Sequence, residues 1–274
     1  MNRVRGRCAS RVENKGLPTS VDTIIVNFRT KELTLAAVNS AIEEPETGKV
    51  IVVENNSDDY SYEWLDEHLP DRAELVMSEE NLGFGGGNNL GLEHATADHI
   101  FLLNSDATLD TGSLAPLIAR LEDPTVGIVA PAIYVPPDRH LQPDVLGNFP
   151  TPSKILTRKT NTDLENLEPD WVSGCAMLLR RQEMLDLGGF DENLFMYLED
   201  VDLCKRYREK GQRIVREMTA GVVHLGGASV TSTKQQKEQF RKSTDYYLGK
   251  HGASGLSRAT VRAAQSIYAK LRGL

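Results

Sequence analysis

Three acids fall within four positions in Leu198-Glu199-Asp200-Val201-Asp202-Leu203, directly after Phe195, Met196 and Tyr197. The apolar neighbours pull this segment inward. A carboxylate against apolar walls holds its proton more tightly, which suits a general base. A carboxylate at a helix N-terminus is the competing explanation, and one of Asp200 and Asp202 is expected to be that. Far upstream, Asn104-Ser105-Asp106 closes the apolar run Ile100–Leu103. A carboxylate at such a strand end can hold a hard divalent cation that also binds a diphosphate. Taken alone, Asp106 is better explained as the cap of the next helix. His224, after Val222-Val223, reads first as a hydrogen-bonded core histidine and second as a metal ligand.

Elements that could bring these groups together are legible along the chain. Val21–Phe28 is a buried strand, and Thr30 caps a helix from Lys31 to about Ile42. Lys49–Val53 is a second strand, ending in Glu54-Asn55-Asn56-Ser57-Asp58-Asp59. Tyr60–Leu69 follows as a helix, Glu74–Met77 as a third strand, Asn81–Asn89 as a glycine-rich turn into a helix ending near Ala97, and His99–Leu103 as a fourth strand. Strands alternating with helices predict βαβ units, hence an α/β fold with a mainly parallel sheet. In such a sheet ligands bind beyond the carboxyl ends of the strands. The segments there are Asn27-Phe28-Arg29, Glu54-Asn55-Asn56, Asn81–Asn89 and Asn104-Ser105-Asp106. Any one of them is ordinary turn chemistry; four at one edge indicate a site. The glycine stretch has GxGxxG-like spacing, but it follows the third strand, whereas a dinucleotide fingerprint follows the first. Farther on, Leu114–Leu121 is a helix, Val126–Ala130 a strand, the proline-rich 131–169 mostly loop, Trp171–Leu179 a strand followed by a short helix, and 231–274 helical.

Composition narrows the class. With 274 residues, 40% hydrophobic and 26% charged, the chain is an ordinary globular one. The net charge of −8 is uneven: Ser229–Leu274 carries nine Lys/Arg against two acids, and residues 1–17 five against one. The acidic body argues against nucleic acid as a partner. The basic C-terminal segment suits an anionic membrane leaflet or, equally, a solvated helix face. Cys8, Cys175 and Cys204 form neither a disulfide framework nor a CxxC pair, which suggests reduced thiols in a soluble, cytoplasmic protein. No apolar run approaches the roughly 18 residues of a membrane span.

In order, these motifs resemble the inverting glycosyltransferases of family 2 with the GT-A fold, in particular their rhamnosyltransferase branch. The resemblance rests on IIVNF with Arg29, IVVENNSDD (51–59), NLGFGGGNNLG (81–91), LLNSDA (102–107), WVSGCAMLLRR (171–181), GGFDENLFMYLEDVDLCKR (188–206), His224 with Gly226, Gly227 and Ser229, and RKSTDYYLGKHG (241–252). It implies a flexible basic tail over 1–20, a catalytic domain over 21–228 (nucleotide-sugar half 21–110, acceptor half 111–228) and a basic helical extension over 229–274. Two departures stand out: Glu54 replaces the usual base-contacting Asp, and Asn104 replaces the first Asp of the metal-binding DxD.

By resemblance, Asn27, Phe28, Arg29 and Glu54 would hold the nucleobase. Asn55, Asn81, Gly83, Asn89, Asn104, Ser105 and Asp106 would shape the rest of the nucleotide-sugar site. Asp106 and His224 would hold Mg2+ or Mn2+. Asp200, with Glu199 beside it, would be the base, and Trp171, Ser173, Gly174 and Tyr197 would face the sugar and the acceptor. The implied reaction is attack of an acceptor hydroxyl on the anomeric carbon, with inversion and loss of a nucleoside diphosphate. The donor would be dTDP-rhamnose, with UDP-linked galactofuranose or glucose as alternatives. The acceptor would be a glycan or a polyprenyl-diphosphate-linked sugar of cell-surface polysaccharide synthesis. Peripheral contact with the inner membrane face and a homodimer are compatible with this scheme, and a non-catalytic binding module is the reading outside enzymes.

Overall fold

The computed structural model describes residues 20–157, 163–226 and 233–271. The basic tail, Cys8, Gly227, Ser229 and the 228/229 boundary lie outside them. In chain order the elements are β1 (Val21–Asn27), α1 (Lys31–Ile42), β2 (Thr47–Glu54), α2 (Ser61–His68), β3 (Ala73–Met77), α3 (Gly83–His94), β4 (His99–Leu103), β5 (Ala107–Leu109), α4 (Leu114–Leu121), β6 (Val126–Val135) and β7 (His140–Leu141). They continue with β8 (Leu146–Gly147), α5 (Pro152–Thr157), β9 (Trp171–Val172), β10 (Ala176–Arg180), α6 (Arg181–Asp186), α7 (Glu199–Glu209), β11 (Arg213–His224), α8 (Thr233–Lys250) and α9 (Gly255–Leu271).

Among the described residues, nine strands form one sheet in the order β3-β2-β1-β4-β10-β6-β11-β5, with β7 on β6. The first four are parallel, so their carboxyl ends share one edge. β10 runs antiparallel to both β4 and β6, while β11 is parallel to β6 and antiparallel to β5. The central strands are buried on both faces, and side chains alternate between two cores. Ile25, Val50, Val52 and Phe101 join the core under α1 and α4. Ile24, Ile51, Val53 and Ile100 join the one under α3 and α7.

Several expectations are corrected. Thr30 makes no side-chain cap to α1; instead Asn27 Oδ1 accepts from the Thr30 N–H at 3.2 Å and from Thr34 Oγ1 at 2.8 Å. Trp171–Leu179 is two strands on different sheets, separated by the Ser173–Cys175 turn. As expected, the described residues of 131–169 are mostly loop, although β6 extends to Val135 and the short β7, β8 and α5 follow. Asp106 precedes a strand, β5, and caps no helix.

The glycines are not a turn either. Gly83, Gly85, Gly86, Gly87 and Gly91 lie within α3, where Gly87 and Gly91 let the helix sit close on the sheet and Gly83 and Gly85 let Phe195 and Phe190 approach it. A methyl group at Gly87 would come within 2.7 Å of Val26 Cγ1, and one at Gly91 would overlap Ile24 Cγ2. Gly91→Ala is therefore expected to destabilise the fold by about 2 kcal/mol, because overpacking outweighs the roughly 1 kcal/mol gain in helix propensity. Urea denaturation checks this, and an unchanged or raised midpoint would contradict the close packing.

Candidate active site

The polar strand ends meet at a cavity of about 420 Å³. Its floor is Val26 near the end of β1 and Phe28 after it, Asn55 after β2, and Asn81, Gly83 and Phe84 at the start of α3. Asn104, Ser105 and Asp106 after β4 form one side, and Phe195 and Met196 before α7 another. The remaining wall is α8, through Gln235, Gln236, Glu238, Gln239 and Lys242.

Asn55 organises the floor. Its Nδ2 donates to Gly83 O (3.0 Å) and Asn81 Oδ1 (3.1 Å), and its Oδ1 accepts from the Leu82 N–H (2.9 Å). That arrangement satisfies backbone groups at the helix start and fixes Gly83 at φ +74°. Glu54 is buried and turned into its own loop: it accepts from the backbone N–H of Ser57 (2.9 Å) and Asn56 (3.1 Å). Burial raises its pKa, partly opposed by these bonds. Arg29 pairs with Asp58 at 2.7 Å and lies over the Phe28 ring. Asn27, Arg29 and Glu54 thus shape the loops beneath the cavity without lining it.

Asp106 and His224 come together as expected. His224 pairs with Ala107 across β11 and β5, which sets its Nε2 3.1 Å from Asp106 Oδ1 and 3.3 Å from Asn104 Nδ2. Its Nδ1 is 2.8 Å from Gln142 Oε1, so with the proton on Nδ1 the Nε2 lone pair faces Asn104 Nδ2 and the Asp106 carboxylate. Cis ligands about 2.1 Å from one octahedral ion stand about 3 Å apart, so the pair fits a hard divalent cation. Gln142 is the outer-shell partner that would orient the imidazole. Among the described residues no group of three or more His, Cys, Asp and Glu is placed to hold a metal.

The acids of α7 reach the same region through the Ser173–Cys175 turn. The Asn104 N–H donates to Cys175 O at 2.8 Å, and the Gly174 N–H donates to Asp200 Oδ2 at 3.0 Å. Burial pushes the Cys175 thiol pKa well up, and the charges of Asp106 and Asp200 push it further. A methyl group on Gly174 would sit 2.7 Å from the Phe84 ring and 3.5 Å from Asp200 Cβ, which places Asp200 just behind the cavity wall. Burial raises the Asp200 pKa, and hydrogen bonds from Gly174 and Val201 hold it back. Glu199 is pushed well above its ordinary value by burial and by the Asp200 charge, and its Oε2 has no hydrogen-bond partner.

Other expected site residues have structural work. Asp202 is fully buried and accepts from Arg206, Lys250 and His251, so it is the structural member of the acid cluster. Asn89 bridges α3 to the 188–192 loop, accepting from the Phe190 N–H (2.8 Å) and donating to Phe190 O (3.0 Å), away from the cavity lining. Trp171 donates to Asn148 O at 3.2 Å and packs beneath α7. Ser173 Oγ accepts from the Cys175 N–H at 3.2 Å. Tyr197 sits edge-to-face on Phe240 of α8. Sequence reasoning missed Gln142, Phe84 and the α8 wall. The last was partly within reach, because RKSTDYYLGKHG (241–252) covers the second half of that helix and includes Lys242.

The basic C-terminal segment is docked onto the body. Lys250 pairs with Asp191 and Asp202, Arg258 and Arg262 with Asp245, and Lys242 with Glu238. Among the described residues no helix is long and apolar enough to cross a membrane.

Comparison with known proteins agrees with this geometry. Residues 22–184 match the model of Glycosyl transferase family 2. The chain is 30% identical over 259 residues to the N-acetylglucosaminyl-diphospho-decaprenol L-rhamnosyltransferase of Mycobacterium tuberculosis (strain CDC 1551 / Oshkosh), covering 83% of this chain and 82% of that protein. GalNAc-T7, solved with UDP, GalNAc and Mn2+, superposes with a TM-score of 0.65 at 18% identity, over 90% of this chain and 54% of that one. The mannosyltransferase PcManGT from Pyrobaculum calidifontis, solved with GDP-Man and Mn2+, superposes at 0.62 and 17%, over 92% and 75%. At these identities the structural likeness is one of fold, the GT-A arrangement. The sequence match extends over more than half of the chain, and the chain belongs to glycosyltransferase family 2.

Proposed function

We propose that this chain transfers rhamnose from dTDP-rhamnose, with inversion, to a hydroxyl of a lipid-diphosphate-linked or other glycan acceptor. The observation that carries the reading is that the Ser173–Cys175 turn, bonded to Asp200 at Gly174 and to Asn104 at Cys175, lies beside a cavity of nucleotide-sugar size lined by Asp106. The resemblance to the decaprenol-linked rhamnosyltransferase supports the choice of sugar and acceptor class. Contact with an anionic leaflet through the cations of 229–274 belongs to the same reading.

In this scheme Asn55 and Asn81 hold the α3 start against the nucleotide, and Asp106 and His224 would hold Mg2+ or Mn2+ for the diphosphate. When bound, the ion neutralises charge on the departing diphosphate as a Lewis acid. Asp200 takes the proton of the acceptor hydroxyl as its oxygen attacks the anomeric carbon and the bond to the diphosphate oxygen breaks. Phe84, Phe195 and Met196 form an apolar wall that limits water, the competing nucleophile.

Calorimetric titration of dTDP and UDP with and without Mn2+ tests the site, and a panel of nucleotide sugars assayed for transfer and hydrolysis tests the donor. Mn2+ is expected to tighten diphosphate binding about tenfold or more in the wild type, with the gain lost in Asp106→Ala and reduced in His224→Ala. Equal affinity with and without Mn2+ would remove the metal from the proposal. Turnover of UDP-galactofuranose or UDP-glucose in place of dTDP-rhamnose would reassign the sugar.

A further inference from the structure

We propose that Lys242 supplies a second positive charge to the donor diphosphate, which makes α8 a working wall of the donor site; this rests on reading the cavity as a nucleotide-sugar site. Asn104 stands where the family has a carboxylate, so the strand-end side of the cavity contributes one carboxylate, Asp106. Facing it, Gln235, Gln239 and Lys242 recur at helical spacing along one side of α8. Among the described cavity-lining residues, Lys242 is the cation.

Its position is fixed although its ammonium is free to move. The adjacent Ser243 is buried, and its Oγ donates to Met196 O at 2.7 Å. One turn on, the Tyr246 hydroxyl donates to Asp191 at 2.9 Å, and Lys250 pairs with Asp191 at 2.7 Å. The Lys242 ammonium, by contrast, meets Glu238 at 3.3 Å with both side chains about two-thirds exposed. Such an i,i+4 pair is worth little. A diphosphate entering the cavity offers the ammonium a stronger partner, and lysine binds phosphate as a point charge. The diphosphate gains negative charge as its bond to the anomeric carbon breaks, so the same ammonium stabilises departure more than it stabilises the bound donor.

The test is calorimetry in Mn2+ with UDP, dTDP, UMP and dTMP on the wild type, Lys242→Ala, Lys242→Arg and Lys234→Ala, the last an exposed α8 lysine outside the cavity lining. Lys242→Ala is expected to weaken diphosphate binding about tenfold and monophosphate binding less than about threefold. It should also flatten the dependence of diphosphate affinity on salt. Lys242→Arg should restore most of the affinity, and Lys234→Ala should match the wild type. Diphosphate affinity in Lys242→Ala equal to wild type would overturn this inference alone, as would equal losses for mono- and diphosphates. If the wild type binds neither UDP nor dTDP, the donor reading falls and this inference falls with it.

Discussion

Asp200→Asn is expected to slow transfer by roughly 10²–10⁴-fold while dTDP binding stays within about threefold of wild type. The case rests on how the two adjacent carboxyls divide one proton. Glu199 is buried and Asp200 partly so, and two desolvated like charges side by side cannot both ionise cheaply. Asp200 receives the Gly174 N–H at 3.0 Å and the Val201 N–H at 2.7 Å, bonds that favour its ionised form. Glu199 Oε2 lacks any such partner, so the proton is expected on Glu199 and the charge on Asp200. A base must be deprotonated to act. Because burial lifts the Asp200 pKa above its ordinary value, activity should fall as pH drops through a point above the usual carboxylate range of about 4. Glu199→Gln mimics the protonated form and should keep activity within about tenfold of wild type. Asparagine at 200 can accept only one of the two backbone bonds, which lowers stability by about 1 kcal/mol, far less than the loss in rate. Single-turnover transfer and dTDP calorimetry on the same samples decide the matter. Parallel loss of binding would make Asp200 a structural residue.

The parallel half of the fold was legible because its strands are short, consecutive and apolar on both faces, so each announces itself without reference to the rest of the chain. β11 was not. Arg213, Arg216 and Glu217 interrupt its apolar run, yet Arg216 and Glu217 are buried, with Glu217 paired to Arg120 at 2.6 Å. Only the long-range pairing with β6 makes that sequence a strand. The same logic separates the expected site residues that come near one another from those whose bonds go elsewhere. Asp106 and Asp200 stand at the ends of strongly patterned segments, and their meeting requires only that those segments share an edge. Glu54 and Asn89 have types suited to ligand binding, but Glu54 turns back on the backbone of its own loop, and Asn89 bonds Phe190, a backbone group that sequence cannot place nearby. The α3 glycines show the limit from the other side: their spacing suggests a phosphate loop, while their use is steric, against Ile24 and Val26.

Asp202→Asn is expected to lower stability by about 3 kcal/mol, or roughly 6–12 °C in melting temperature for a chain of this size. Burial alone would raise the Asp202 pKa, but hydrogen bonds from His251 and Lys250 and the charges of Arg206 and Lys250 outweigh it and hold the carboxyl below its ordinary value. A carboxyl whose folded-state pKa is depressed stabilises the fold above the unfolded pKa of about 4 and loses that contribution as pH falls through the folded value. The gap between wild type and Asp202→Asn should therefore be full at pH 7 and close below about pH 4. The effect should also reach the cavity. Asp202 joins the first turn of α7 to Lys250 and His251 at the far end of α8, whose near end forms the cavity wall. Releasing that anchor lets the wall move, so dTDP affinity should drop along with stability. Gly91→Ala, of comparable cost but placed beneath α3, separates the two consequences: a drop in dTDP affinity confined to Asp202→Asn means that the hub holds the donor site, and an equal drop in both means only that a less stable fold binds less well.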